Sequence, residues 1–254
     1  MSLTEVIKDK RIKELFRREF KKPKYKINHL IKVPPLTNNY MLVGLAFDYL
    51  FKFYVKYYNI PKGDRWLNYF LTILKYWKTE KFIDIPFSEF DLLLKGTITD
   101  NIIKASIIAA QVSKRVPNNK IGKIDPQDIK DLRNLFSIIN INKFKSNSKC
   151  IVNSNFNQVS KLVKGAICDI IIDDKLIDIK TTGELSVNEG VYYQTIGYYL
   201  LSVIEGRHDI KEIGFYFSRY GVTYLYKIDE LVNLENIPVI VDEFINIVGE
   251  KYGT

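Results

Sequence analysis

The chain has 254 residues, 46% hydrophobic and 13% aromatic, which suits one large domain or two small ones and excludes a disordered polypeptide. Its 38 Lys and Arg against 29 Asp and Glu leave a formal charge of +9, favouring a polyanionic partner without separating nucleic acid from an anionic membrane surface. Two cysteines, Cys150 and Cys168, are too few for a disulfide scaffold, a four-cysteine zinc site or an iron-sulfur cluster, so a reducing cytoplasm is the expected compartment.

The first 32 residues carry eleven Lys or Arg against four acids, whereas residues 165–254 carry seven against fifteen. A basic arm feeding an acidic region suggests that the arm holds a polyanion and the acidic part a cation; a solvated amphipathic helix over "LTEVIKDKRIKELFRREFKK" accounts for the arm equally well. The N-terminus is too charged for a signal peptide, and no apolar run reaches bilayer-spanning length, so no membrane association is expected.

"NHLIKVPPLTNNY" is a connector that proline prevents from being helical. "MLVGLAFDYLFKFYVKYYN", residues 41–59, is apolar nearly all round and reads as a buried helix. "GDRWLNYFLTILKYWKTEKF", "FSEFDLLLKGTITDNIIKASIIAAQVSKRV" and "DPQDIKDLRNLFSIINI" follow as helical segments, so the first 145 or so residues are expected to be mainly α.

The pattern changes at "SNSKCIVNSNFNQVSKLVKG", whose later half alternates like a strand. Then come an Ile-rich hairpin, "GAICDIIIDDKLIDIKTT", a helix through "SVNEGVYYQTIGYYLLSVIEG", a second alternating pair, "EIGFYFSRYGVTYLYKI", and a terminal helix, "VIVDEFINIVGEKYG". The expected fold class is α/β or α+β: a mixed sheet flanked by helices, with a large helical N-terminal part. One domain over 1–254 divides into a basic arm at 1–39, a first core helix at 40–59, a helical insertion at 60–148 and an α/β core at 149–254.

A hairpin turn centred between Asp173 and Asp174 places Ile172 opposite Lys175, Ile170 opposite Ile177, and Asp169 opposite Asp178. Like charges directly opposed destabilise a ladder unless a cation lies between them. Period two puts Lys180 on the face of Asp178 and leaves Ala166, Cys168, Ile170, Ile172, Ile177 and Ile179 on the other. Hard oxygen ligands beside a lysine suit Mg²⁺ or Mn²⁺ and phosphodiester chemistry, although a half-exposed hairpin balancing its own charges explains the same residues.

These segments resemble the PD-(D/E)xK nuclease superfamily, in its RecB-like branch, which includes the CRISPR-associated exonucleases. "GAICD" is similar to that branch's Gly-x-x-x-Asp strand, "IDIK" to its acidic-x-Lys strand and "QTIGY" to its Gln-x-x-x-Tyr helix motif; "GLAFD" stands where the branch usually has Gly-x-x-x-His. The resemblance implies a restriction-endonuclease-like core in which Asp169, Asp178 and the backbone carbonyl of Ile179 bind Mg²⁺ or Mn²⁺. It implies that Lys180 assists the attacking water and that Gln194 and Tyr198 fix the active site or the DNA strand.

Two departures stand out: Asp48 replaces histidine as a possible metal ligand, with an ordinary i, i+4 ion pair to Lys52 as its plain alternative, and the iron-sulfur cysteines of many relatives are missing. The expected activity is metal-dependent hydrolysis of single- or double-stranded DNA, with any helicase, repair or CRISPR partner on a separate chain. The rival readings are an inactive DNA-binding or assembly protein of the same fold, and a nuclease acting on RNA or junctions. Arg219, in the "SRYG" turn, is placed to touch phosphate, but an arginine at a hairpin tip is usually just solvated, and it is left out of the catalytic set.

Overall fold

The computed structural model describes residues 2–23, 29–59, 88, 89, 92, 95, 97–206 and 209–252. The helix expected over "GDRWLNYFLTILKYWKTEKF" and the beginning of the next one lie outside the described residues. Five strands form one mixed sheet in sequence order: β1 (Cys150–Ser154), β2 (Cys168–Ile172), β3 (Lys175–Lys180), β4 (Glu212–Phe217) and β5 (Val222–Lys227). The β3–β4 pair is parallel and the other three pairs are antiparallel.

Eight α-helices accompany the sheet among the described residues: α1 (Leu3–Val6), α2 (Lys10–Glu19), α3 (Tyr40–Tyr58), α4 (Asp100–Ser113), α5 (Pro126–Ser137), α6 (Glu189–Glu205), α7 (Ile228–Leu231) and α8 (Ile237–Tyr252). None of the described helices is long and apolar enough to cross a membrane. The chain is thus mixed α/β, as expected. A parallel pair needs a crossover, and α6 supplies it between β3 and β4.

Alternation along the strands sends side chains into two cores. Ile171, Leu176, Ile213, Phe215 and Phe217 pack against α1, α2, α6 and α8, while Ile170, Ile172, Ile177 and Tyr216 meet α3, α4 and α5. Both sheet faces are therefore covered, and the half-exposed hairpin does not occur. Helix α3 is apolar all round because it lies between layers: Val43, Ala46, Phe47 and Phe51 face the sheet, whereas Leu50, Phe53 and Tyr54 meet α4 and α5.

The local signals act where they stand. Thr99 caps α4 and Asp125 caps α5, whose first residue is proline, while Asn188 caps α6 and Gly206, with φ of 66°, ends it in the left-handed conformation. One strand differs from expectation. The earlier half of "SNSKCIVNSNFNQVSKLVKG" is β1, and Val159–Val163 is a 3-10 turn, because Phe156, Asn157 and Lys164 adopt positive φ and break the extension the alternation suggested.

The basic arm is part of the core instead of a free appendage. Leu3, Val6, Ile12, Leu15 and Phe16 are buried, and Leu3 lies so close to Gly197 of α6 that an added Cβ would come within 2.8 Å of it. Three arginines of the arm pair with acids of the C-terminal part: Arg11 with Glu250 at 2.6 Å, Arg17 with Glu189 at 2.9 Å and Arg18 with Glu243 at 2.7 Å. Three of the arm's eleven Lys and Arg are thus matched by acids of the C-terminal part.

Arg219 also departs from expectation. It is 1% exposed and donates bidentately to Asp131 of α5 at 2.8 and 3.0 Å, and to the carbonyl of Val33 at 3.1 Å. Its own carbonyl accepts the N–H groups of Lys32 and Val33, and the neighbouring buried Asp128 takes hydrogen bonds from Thr37 and Asn39. The connector before α3 is fastened to the turn between β4 and β5 by this cluster.

Candidate active site

The hairpin register follows the expected centre: Ile172 pairs with Lys175, Ile171 with Leu176 and Ile170 with Ile177. Asp173, in the left-handed region at φ of 52°, makes the tight turn, and its carboxylate accepts the N–H groups of Asn147, Ser148 and Lys149. Those bonds hold its pKa well below the usual carboxylate range. The β2–β3 ladder stops at Ile170–Ile177, one residue short of the opposed aspartates.

At that point the alternation of β2 breaks. Cys168 packs in the α6-side core and Ile170 in the α3-side core, although residues two apart in a regular strand share a face, and Asn153, across from Asp169, has φ of 53°. Cys168 and Ala166 therefore do not share the face of Ile170, contrary to the simple period-two expectation. Asp169 leaves the ladder, and its Oδ2 accepts the backbone N–H of Ile179 at 2.8 Å.

The other oxygen of Asp169 meets α3. Lys52 donates to Asp169 Oδ1 at 2.7 Å and to Asp48 Oδ2 at 2.8 Å, so one ammonium bridges two carboxylates from different elements. The i, i+4 pair of Asp48 and Lys52 is thus present, with Asp169 as an added partner. Burial alone would lower the Lys52 pKa, but the attraction of Asp169 and then Asp48 outweighs it and raises the value.

Asp178 is 5% exposed, and its Oδ2 lies 2.5 Å from Lys180 Nζ without hydrogen-bond alignment; that buried oxygen has no hydrogen-bond partner among the described residues. Burial pushes the Asp178 carboxyl up to about 6, against the pull of Lys180. Asp48 rises to about 7, first through burial and then through the charge of Asp169. The hydroxyl of Tyr198, buried near Asp178 and Asp169, is raised as well.

Residues Asp48, Asp169, Asp178, Ile179, Lys180, Gln194 and Tyr198 all line one cleft of roughly 360 Å³. Four separated segments contribute: α3, β2, the C-terminal end of β3, and the first half of α6. Gln194 and Tyr198, one turn apart, are joined by a hydrogen bond of 3.1 Å; the Gln194 amide also donates to Thr4 at 3.1 Å, and the Tyr198 ring stacks on Phe156. The charge of this carboxylate cluster is formally −1, three carboxylates against Lys52 and Lys180.

Met41, Gly44, Leu45, Lys114 and Thr181 complete the wall and were not singled out by sequence. Gly44 and Leu45 stand in "GLAFD", Thr181 directly follows Lys180, and Met41 lies three, four and seven residues before Gly44, Leu45 and Asp48 on one helix face, so chain proximity and helical spacing were their available signals; Lys114 had none.

The donor set is hard oxygen, which suits Mg²⁺ or Mn²⁺, and Asp178 Oδ2, which meets the Lys180 ammonium at 2.5 Å but no aligned hydrogen bond among the described residues, has lone-pair capacity left for such an ion. No three acidic, histidine or cysteine groups among the described residues stand together as a ready-made metal centre. Asp48 and Asp169 are instead drawn toward Lys52, leaving Asp178 as the carboxylate with unsatisfied capacity. Set against known proteins, the chain matches no family model, no curated protein and no solved structure at a significant level.

Proposed function

We propose that this chain is a metal-dependent deoxyribonuclease of the RecB-like type on a restriction-endonuclease-like core, hydrolysing phosphodiester bonds of single- or double-stranded DNA. The observation that carries this reading is the convergence of Asp48, Asp169, Asp178, Ile179, Lys180, Gln194 and Tyr198, from four chain segments, on one cleft. Hairpin pairing alone brings Asp169, Asp178, Ile179 and Lys180 together, but no local pattern brings Asp48 of α3 and the Gln194–Tyr198 face of α6 to the same cavity, and that meeting is what accidental motifs would not produce.

Asp169, Asp178 and the backbone carbonyl of Ile179 would hold Mg²⁺ or Mn²⁺, with Asp48 at the margin. Such an ion supplies charge to polarise a scissile phosphate and lowers the pKa of water. Lys180, partly exposed and beside Asp178, holds and orients the attacking water and offsets charge on the phosphate. Gln194 spends both amide N–H groups on Thr4 and Tyr198, which fixes its remaining carbonyl oxygen as an acceptor for a donor on a base edge.

Lys114 stands on the cleft wall as a cation for the DNA backbone. The setting is expected to be cytoplasmic, with any helicase supplied by another chain.

The test is cleavage of end-labelled single- and double-stranded DNA with Mn²⁺, Mg²⁺ or EDTA, by the wild type, Asp178→Asn and Lys180→Ala. Metal-dependent cutting that falls about a hundredfold or more in both variants, with DNA binding retained, is the expected result. An absence of cutting, with DNA binding indifferent to both substitutions, would make the chain a binding or assembly protein. In that case the satisfied oxygens of Asp169 would be an ion-pair network with no ion to hold.

A further inference from the structure

The charges of the cleft are not arranged as three equivalent ligands. Asp48 and Asp169 share one ammonium, that of Lys52, whose side chain is 7% exposed and which is absent from the residues lining the cleft. It approaches both carboxylates from the core side, behind the surface that a substrate would meet. Asp169 is satisfied twice, by Lys52 and by the N–H of Ile179. Asp178 stands apart beside Lys180 with a buried oxygen that accepts no hydrogen bond among the described residues.

From this division we infer that Lys52 is a resident cation that fills one of the two cation positions the carboxylates could offer, so that the cleft takes a single divalent ion, at the Asp178 side. The inference rests on the nuclease reading and deepens it by fixing the number of ions. Lys52 is a positioning residue: it touches neither substrate nor metal, and it acts by holding Asp48 and Asp169 together.

The charge count supports one ion. With Lys52 and Lys180 in place the carboxylate cluster is formally −1, and Lys114 on the wall brings the whole cleft to 0; one divalent ion brings the cleft to +2, and a second would bring it to +4. Uncompensated charge of that size in a largely buried site is strongly unfavourable, and the metal's own charge must be counted with the rest. A lysine that left the carboxylates to admit a second ion would also have to find new partners for an ammonium that is 7% exposed. Methionine at position 52 would remove the charge at nearly unchanged volume, leaving Asp48 and Asp169 repelling one another until a cation replaced the ammonium.

Counting Mn²⁺ on the full chain by calorimetry, with the free ion followed by electron paramagnetic resonance, tests this without any need for activity. The wild type should bind one ion per chain. Lys52→Met should bind two, or bind its first about tenfold or more tightly, since a unit charge at this range shifts equilibria by one to three decades. Lys52→Arg should restore a count of one.

Two ions on the wild type would overturn the inference, and this measurement needs no variant if Lys52→Met fails to fold. A folded Lys52→Met that binds one ion at unchanged affinity would overturn it too, reducing Lys52 to a packing role. No Mn²⁺ on a folded wild type would remove the metal reading itself, and this inference with it. One ion on the wild type with no DNA cleavage would leave Lys52 in its role and sink only the nuclease.

Discussion

Two buried charge clusters lie in this fold, and they differ in completeness. The Arg219–Asp131 pair is 1% exposed on both sides, bidentate, and finished by the carbonyl of Val33, so each charge has a well-placed opposite. The cleft cluster places three carboxylates against two ammoniums, raises two of the acids to about 7 and about 6, and leaves Asp178 Oδ2 without a hydrogen bond among the described residues. One cluster is closed and neutral; the other is open and carries surplus negative charge. The second is the kind of cluster that the proposed cation would complete, whereas the first needs nothing further.

The largest expected difference between the two is in stability. Asp131→Asn should cost about 3–5 kcal/mol by stranding the buried Arg219 guanidinium, which for a chain of this size lowers the melting temperature by on the order of 10 °C. Asp178→Asn in EDTA should leave the melting temperature unchanged or raise it, since it removes a buried and poorly satisfied carboxylate. Equal losses in both variants, measured by thermal denaturation, would erase the distinction. The double variant Asp131→Leu with Arg219→Met should recover much of the loss, because replacing both partners strands no charge.

A smaller and more diagnostic effect is expected with pH. Folded pKa values of about 7 for Asp48 and about 6 for Asp178 lie above the ordinary carboxylate value, so between about pH 4 and 7 the native chain holds protons that the unfolded chain has released. Stability in EDTA should therefore fall as pH rises through that window. Lys52, raised above its ordinary value, remains charged throughout and contributes no slope there.

Asp178→Asn should flatten the wild-type profile, and saturating Mn²⁺ should reverse its direction because binding requires the deprotonated acids. A profile identical in wild type and variant would show that Asp178 titrates normally. Asp131→Asn should lower stability by a similar amount at every pH in the window.

The comparison also shows how far the sequence could be read. The turn at Asp173-Asp174 and the pairs Ile170–Ile177 and Ile172–Lys175 were legible because a period of two and a turn centre determine them locally. Gln194 and Tyr198 were legible as one helix face. Asp169 stays in β2 but lies beyond the last β2–β3 pair, where it accepts from Ile179 and Lys52 instead of opposing Asp178, and the Lys52 bond comes from α3 more than a hundred residues earlier.

Arg219 escapes local reading for the same reason. A hairpin-tip arginine is ordinarily solvated, and its partner Asp131 lies 88 residues away on a helix whose own pattern says nothing of the turn it meets. Lys52 was visible as the i, i+4 partner of Asp48, but its second bond, to Asp169, belongs to the tertiary fold. Local periodicity specified the elements; the bonds that define the two charge clusters join elements far apart in sequence.

The smallest expected effect concerns the rim of the open cluster. Residues 101–124 contain five Lys or Arg and no acid, and four of them, Lys114, Arg115, Lys120 and Lys123, are exposed at or just beyond the end of α4. The loop is held at its base by Gln111, 4% exposed, which accepts from the N–H of Gly122 at 2.8 Å and donates to the carbonyl of Lys123 at 2.9 Å. Lys114 reaches the cleft wall, so the basic surface is continuous with the proposed site.

Such a surface suits a phosphate backbone and carries no sequence readout. Replacing the four residues by glutamine should weaken binding of a labelled oligonucleotide in EDTA. It should also make the salt dependence shallower, by about 0.9 in log–log slope for each duplex phosphate no longer neutralised and about 0.7 for each on a single strand. The melting temperature should hardly move, because these side chains are solvated and the Gln111 clamp uses backbone groups of the loop. An unchanged slope would place the DNA path on another side of the cleft; a changed slope with unchanged melting would show that this rim contributes to binding while the closed Arg219 cluster contributes to folding.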